Sequence, residues 1–397
     1  MSFFFGFLEV LLTTTVIAIL VLSTVGLAYK IRKGEKYEKF DCINLGLGWI
    51  LFLTIYKLFT CSGKIYFYLL IRLIFSIILF LINSYNREFN LDEYVNTLTL
   101  NDNIGAIYCL KILDDGRLAA GDEDSNLIIY DKETFKPDII INNNLSSLLN
   151  FTQVKNKNII CSFRADSTLK IIKIKNKKEY ENIQIINNAH NRAISKIIEL
   201  KNENIITFSF DYSFKIWKLN NNNRYEKMKE FIESKEITDG LETKDNEEIL
   251  YSLNTYPQSL VFCNINKNVK IKELNNLYLS ICFVGERITK LNDNEIAIAG
   301  RKSVYLIDIN SYCILNEINT VFLNLSILKL TNNIFLIGDA NTAITQYRIY
   351  NNIIIRESFK SNIHENESFI YSLAFINGMI ITGGFNSNQI KIWKKSN

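Results

Sequence analysis

Residues 190–219 read HNRAISKIIELKNENIITFSFDYSFKIWKL. Polar turns at 201–204 and 210–212 cut this stretch into three short runs rich in Ile and Phe. Runs of about four to eight such residues between Asn- and Asp-rich turns read as β-strands. Two more stretches repeat the order. Residues 364–395 read HENESFIYSLAFINGMIITGGFNSNQIKIWKK, and residues 105–131 read GAIYCLKILDDGRLAAGDEDSNLIIYD. Each has an apolar strand, a turn, a strand of small residues, a second turn and a strand ending in an aromatic. Self-similarity of this length marks a repeat architecture.

The end of the third strand serves as an anchor. Tyr130, Ile172, Trp217, Cys263, Ile307, Tyr347 and Trp393 follow one another at intervals of 42, 45, 46, 44, 40 and 46 residues. The copies at Cys263 and Ile307 are placed mainly by spacing. Seven anchors imply seven four-stranded units. The last copy stops one strand short. The spare strand is YVNTLTL, residues 94–100, ahead of the first full copy. Pairing it into the last unit would close a ring and remove the open edges of a linear array. The fold expected for residues 91–397 is therefore an all-β, seven-bladed propeller. Residues 225–248, rich in charge, read as a surface excursion between blades.

These residues resemble the WD40 repeat family. In the best copy its pattern falls on His190, Ser209, Asp211 and Trp217. The last copy keeps His364 and Trp393, with Gly384 and Asn386 between them. The first has Asp124, Tyr130 and Asp131, and Tyr347 ends another third strand. The resemblance covers about three quarters of the chain. It implies that His190, Ser209, Asp211 and Trp217 form a structural hydrogen-bond chain, not a catalytic triad. It also implies a rigid platform on whose top face or rim protein partners dock.

Residues 1–90 differ in kind. Apolar stretches at 9–29, 43–61 and 65–83 are each long enough, at about 1.5 Å per residue, to cross most of a hydrocarbon core of about 30 Å. The reading is a membrane anchor of about three transmembrane helices. Lys30, Arg32, Lys33, Lys36 and Lys39 crowd the loop between the first two stretches. Such loops stay in the cytosol, which also places the propeller there. Glu9 and Arg72 fall at similar depth and form a candidate intramembrane pair.

Charge sharpens this division. Of 45 basic and 41 acidic residues, nine and five lie in residues 1–90, which leaves 36 of each beyond. The propeller has no net charge, which argues against nucleic acid as a partner. Asp122, Glu123 and Asp124 form an acidic turn that could meet a basic protein partner. Phe163-Arg164 resembles half of the paired-arginine motif of phosphoinositide-binding propellers, but Ala165 stands where the second arginine would be.

Chemistry-bearing motifs are sparse. There are two histidines, and the seven cysteines lack the spacing of a zinc site or redox pair. No Gly-flanked nucleophile, phosphate loop or metal-spaced carboxylate set is present. The expectation is no enzyme, no metal and no cofactor. The terminal Lys394-Lys395-Ser396-Asn397 is similar to a dilysine retrieval signal, which points to the endoplasmic reticulum or another endomembrane. The functional expectation is a membrane-tethered scaffold. Alternatives are an endomembrane small-GTPase exchange factor or trafficking regulator, and a lumenal or extracellular receptor or enzyme.

Overall fold

The computed structural model describes residues 89–396, apart from 103–104, 144–145, 166, 255–257, 278–285 and 366–367. The chain divides between Asn90 and Leu91. The three expected spans, and Glu9 and Arg72 with them, lie outside the described residues. Among the described residues no helix is long and apolar enough to cross a membrane.

A 3₁₀ turn (Leu91–Glu93) leads into β1 (Tyr94–Leu100). Blade 1 holds β2 (Ile107–Ile112), β3 (Leu118–Asp122), β4 (Asn126–Tyr130) and β5 (Pro137–Asn142). Blade 2 holds β6 (Leu148–Gln153), β7 (Asn158–Phe163), β8 (Leu169–Ile174) and β9 (Tyr180–Ile186). Blade 3 holds β10 (Ile194–Glu199), β11 (Ile205–Ser209), β12 (Ser213–Leu219) and β13 (Tyr225–Ile232). Blade 4 holds β14 (Ile237–Lys244), β15 (Glu248–Leu253), β16 (Gln258–Asn264) and β17 (Val269–Leu277). Blade 5 holds β18 (Ile288–Lys290), β19 (Glu295–Ala299), β20 (Ser303–Asp308) and β21 (Cys313–Asn319). Blade 6 holds β22 (Asn324–Lys329), β23 (Ile334–Asp339), β24 (Ile344–Tyr350) and β25 (Ile353–Lys360). Blade 7 holds β26 (Ile370–Ile376), β27 (Met379–Gly384), β28 (Ile390–Lys395) and, as its outer strand, β1.

All pairings within the blades are antiparallel, and the first strands touch one another in an unbroken circle from β2 through β26 back to β2. They line the central channel. The second and third strands are almost wholly buried, because each sheet is covered on both faces by neighbouring blades. This is why they read as continuous apolar runs. The outer strands are mostly exposed. In β13, YEKMKEFI, only Tyr225 and Phe231 are buried. Residues 225–248 are thus not an excursion. They supply the outer strand of blade 3 and the inner strand of blade 4. Charge on an outer strand reflects its half-exposed position.

All seven anchors fall on third strands. At each, the register with the fourth strand shifts by a bulge: Tyr130, Ile172, Trp217, Cys263, Ile307 and Tyr347 each begin the shifted segment. At Trp393 the same shift comes from β1, between Asn96 and Leu98. A bulge bends a strand and raises its twist. The outer strand of every blade carries this bulge.

Apolar layers fill the spaces between blades. Phe208, Phe214 and Ile216 of blade 3 meet Ile237, Tyr251 and Val261 of blade 4, with Phe214 stacked on Phe231 at 4.4 Å. Size is matched across such joints. Gly240 leaves room for the Phe208 ring, which a Cβ would meet at 2.5 Å. At the joint between blades 7 and 1, a Cβ on Gly383 would strike Ile107.

Closure joins the two ends of the propeller. Tyr94 to Leu100 runs opposite Lys395 to Ile390. Ser396 donates from its backbone N–H to the Glu93 carbonyl at 2.7 Å, and Lys395 pairs with the Glu93 carboxylate at 2.5 Å. Leu91 donates its N–H to Gln346 Oε1 of blade 6 at 2.9 Å. Leu100 enters the apolar layer with Ile107, Leu118, Ile390 and Ile392. We expect Leu100→Ala to destabilise the propeller by about 2–5 kcal/mol. Val95→Ala, at a site 46% exposed on the same strand, should change it by no more than about 0.5 kcal/mol. Chemical denaturation followed by tryptophan fluorescence separates the two. Equal, small effects would mean that β1 does not hold the ring.

Candidate functional site

The blade 3 residues meet as a chain. Trp217 Nε1–H donates to Thr207 Oγ1 at 2.9 Å, and the Thr207 hydroxyl lies 2.7 Å from His190 Nε2. His190 Nδ1 lies 2.9 Å from Asp211 Oδ2. A neutral imidazole satisfies this order by donating from Nδ1 to Asp211 and accepting at Nε2. Burial holds His190 below the ordinary imidazole range, although the Asp211 hydrogen bond pulls upward. Asp211 also accepts from the Asn191 and Ser213 amides and from the Ser213 hydroxyl. Burial alone would raise its carboxyl; hydrogen bonds from His190 and Ser213 outweigh that and hold it low.

Ser209 is not the link in this chain. Its hydroxyl bonds the Arg192 and Ala193 carbonyls and accepts from the Asp211 N–H. Thr207 and Ser209 are two residues apart and share a face of β11, so spacing alone does not separate them. Blade 7 repeats the core of the arrangement. Trp393 Nε1 donates to Thr382 Oγ1 at 3.2 Å, Thr382 meets His364 Nε2 at 2.8 Å, and His364 Nδ1 meets Ser387 Oγ at 3.0 Å. Ser387 replaces the aspartate. Gly384 is required beneath it, since a Cβ there would stand 2.7 Å from His364 Nδ1. Neither Asn386 nor Gly384 supplies a side chain to His364.

The acidic turn of blade 1 is divided. Asp122 is fully buried and accepts from the Asn126 N–H at 2.8 Å and its Nδ2 at 2.9 Å. Burial raises its carboxyl above the usual range. It holds the turn and offers nothing to a partner. Glu123 and Asp124 are exposed. Beside them lies an aromatic shelf at the joint of blades 7 and 1. Phe385 stacks on Phe369 at 6.1 Å and on Tyr108 at 5.9 Å, and meets Tyr371 edge-on at 4.8 Å. Tyr108 is buried; Phe369, Tyr371 and Phe385 are half-buried. The Tyr108 hydroxyl reaches Glu123 at 3.4 Å.

A charge bridge spans the channel. Glu286 Oε1, just before β18, accepts from Lys111 of β2 at 2.7 Å and Lys196 of β10 at 2.8 Å. Asp239 Oδ1 of β14 stands 3.7 Å from Lys196. Asp239 Oδ2 accepts from the Arg287 and Ile288 amides, and the Glu286 carbonyl accepts from Ile327 of β22. Desolvation opposes the charged forms of both the buried Lys196 and Glu286, whose side chain is still open to the channel. The ion pairs prevail, raising Lys196 and lowering Glu286. The sequence does not mark Glu286, whose partners lie 175 and 90 residues away. A partial signal was present: Lys196 and Asp239 occupy the same register-shift position in blades 3 and 4.

Other groups offer little chemistry. Cys109, Cys161 and Cys263 are free and buried, and burial pushes the Cys161 thiol up to about 12 and Cys263 up to about 11. Cys313 is free and exposed. Among the described residues no group of three His, Cys, Asp or Glu is placed to hold a metal. A cleft of about 630 Å³ between blades 1 and 2 is lined by Lys157 and Lys177, paired with Asp114 and Asp131. Lys394 and Lys395 are exposed, but their backbone is paired to β1 and is not a free tail.

No family model matches the sequence, and no curated protein matches it. Solved structures do. The structure described as U3-55K aligns at 13% identity and TM-score 0.62, covering 75% of this chain and 98% of that one. The WD40 propeller domain of Doa1 aligns at 14% and 0.61, covering 76% and 97%. The fold is a WD40 seven-bladed propeller. The RRP9 WD40 repeats give the same result, at 14% identity, TM-score 0.63 and coverage of 75% and 97%. Likeness at this identity shows the fold alone.

The hydrogen-bond chains of blades 3 and 7 are open to test. Thr207→Val keeps the shape but strands Trp217 Nε1 and His190 Nε2; it should cost about 2–4 kcal/mol in denaturation. A cost below about 0.5 kcal/mol would remove Thr207 from the chain's centre. The second test concerns pH. Burial, with Lys391 adding, depresses His364 from 6.5 to about 3. The folded state holds it neutral while the unfolded chain takes a proton below 6.5. Its contribution is complete above that pH and is lost as pH falls toward 3. Between pH 7 and 4.5 the loss should be about 2–3 kcal/mol. His364→Gln should remove that increment from the measured pH slope; an unchanged slope would contradict the assignment.

Proposed function

We propose that the chain is a membrane-tethered scaffold. In this reading the WD40 propeller faces the cytosol as a docking platform for proteins. The observation that carries it is the state of the reactive groups. His190, His364 and Asp211 are tied into strand-linking chains, the buried thiols are held protonated, and the channel carboxylate is neutralised by two lysines. What remains is a rigid closed ring presenting loops, which suits binding and not catalysis.

The tether rests on the three apolar stretches within residues 1–90 and on the basic loop between the first two. Free thiols, including the exposed Cys313, fit a reducing compartment.

The full chain should stay in the membrane pellet through alkaline extraction. A chain lacking residues 1–90 should be released with its propeller folded. Proximity labelling from the C-terminus should recover cytosolic proteins concentrated at one membrane. Release of the full chain would defeat the tether, and recovery of lumenal proteins alone would defeat the topology.

A further inference from the structure

The loops over blades 7 and 1 carry charge of one sign. The described residues of four segments lie on this face: 101–102 and 105–106, 122–126, 361–365 and 368–369, and 384–389. Together they hold Asp102, Asp122, Glu123, Asp124 and Glu365, and neither Lys nor Arg. Asp122 is spent on its turn. Asp102, Glu123, Asp124 and Glu365 are exposed. The same face over the other blades differs. Arg192 pairs with Glu236 between blades 3 and 4, and Arg301 and Lys302 are exposed on blade 5. A propeller without net charge thus has an acidic sector, and the aromatic shelf lies inside it.

Beside the shelf lies a cavity of about 20 Å³ lined by Tyr108, Tyr371, Glu286, Lys111 and Ser372. That volume accepts a water molecule and no side chain. The Ser372 hydroxyl, buried without a protein partner, suits such a water. A ligand side chain excluded from that cavity is left the exposed faces of the rings.

We infer that the joint of blades 7 and 1 docks a cationic protein segment, its arginine or lysine side chains lying on Phe385, Phe369 and Tyr371 and facing Glu123, Asp124 and Glu365. Aromatic faces attract cations through the ring quadrupole, most strongly where water is partly excluded. Carboxylates around the rings supply the charge and the direction. Nucleic acid and anionic lipid are repelled by the same carboxylates. Arg164, on the neighbouring turn of blade 2, bounds the sector; its charge opposes that of Glu123 at the Tyr108 hydroxyl. The inference rests on the docking-platform reading and gives it a location and a partner chemistry.

Panning a random heptapeptide library on the full-length protein in detergent tests it. Recovered peptides should be enriched in Arg and Lys. Their affinity should fall about tenfold in the Glu123→Lys, Asp124→Lys double variant, and by a smaller factor in Glu123→Gln, Asp124→Asn, which removes charge without reversing it. Both sites are exposed, so the denaturation midpoint should hold and confirm folding. Arg301→Glu with Lys302→Glu should leave these affinities within about twofold. Binders without basic enrichment, or basic binders indifferent to Glu123 and Asp124, would overturn this inference and leave the platform standing. Recovery of no binders would overturn both.

Discussion

The structure depends on one antiparallel pairing, that of β1 with β28. Without it blade 7 would end at β28 with an open edge, and the ring of first strands would be held shut only by side-chain packing. With it, every outer strand is a fourth strand, and the register shift seen at six anchors recurs at the seventh through a bulge contributed by β1 itself. The aromatic shelf sits across the joint between blades 7 and 1, so its rings keep their spacing only while that joint holds. The same closure fixes Lys111 of blade 1 within reach of Glu286, on the far side of the channel.

Charge does two separate tasks. Inside, Lys111, Lys196, Asp239 and Glu286 bind the first strands of blades 1, 3 and 4 to the start of blade 5. That blade has the shortest first strand, three residues, and relies on these contacts and on the Asp239 carboxylate for its entry point. Water reaches Glu286, whose side chain is 44% exposed, so the bridge fixes geometry more than it adds stability. Outside, acids and bases are sorted around one face although they sum to zero over the propeller. Shape and this local sorting choose a partner where bulk charge does not.

Most of the fold was legible because a four-stranded unit with short turns has nearly constant length. Weak copies could be placed by interval: Cys263 and Ile307 occupy the anchor position with no Trp, since that position needs a buried side chain beside a bulge more than any one residue. Residues 225–248 read as a loop because charge runs along both faces of β13, an outer strand exposed over most of its length. The finer site was less legible. Thr207 and Ser209 share a strand face, and only the turn geometry decides which hydroxyl meets His190. Asp122 and Asp124 pose the same problem: spacing from Tyr130 favours Asp124, yet burial and the Asn126 bonds select Asp122. Long-range partners, as at Glu286, leave no local trace.

Ring closure also sets an order of events during synthesis. Tyr94 and Lys395 are about 300 residues apart. At translation speeds of about 5–20 residues per second, β1 waits roughly 15–60 s for its partner to leave the ribosome. Blades 1 to 6 can each form as they emerge, but the seventh cannot. For that interval YVNTLTL is an unpaired strand, the kind of edge that nucleates self-association. Its composition suits the wait: Asn96, Thr97 and Thr99 interrupt the apolar residues. The nascent propeller is a chain with a latch at its start and a catch at its end.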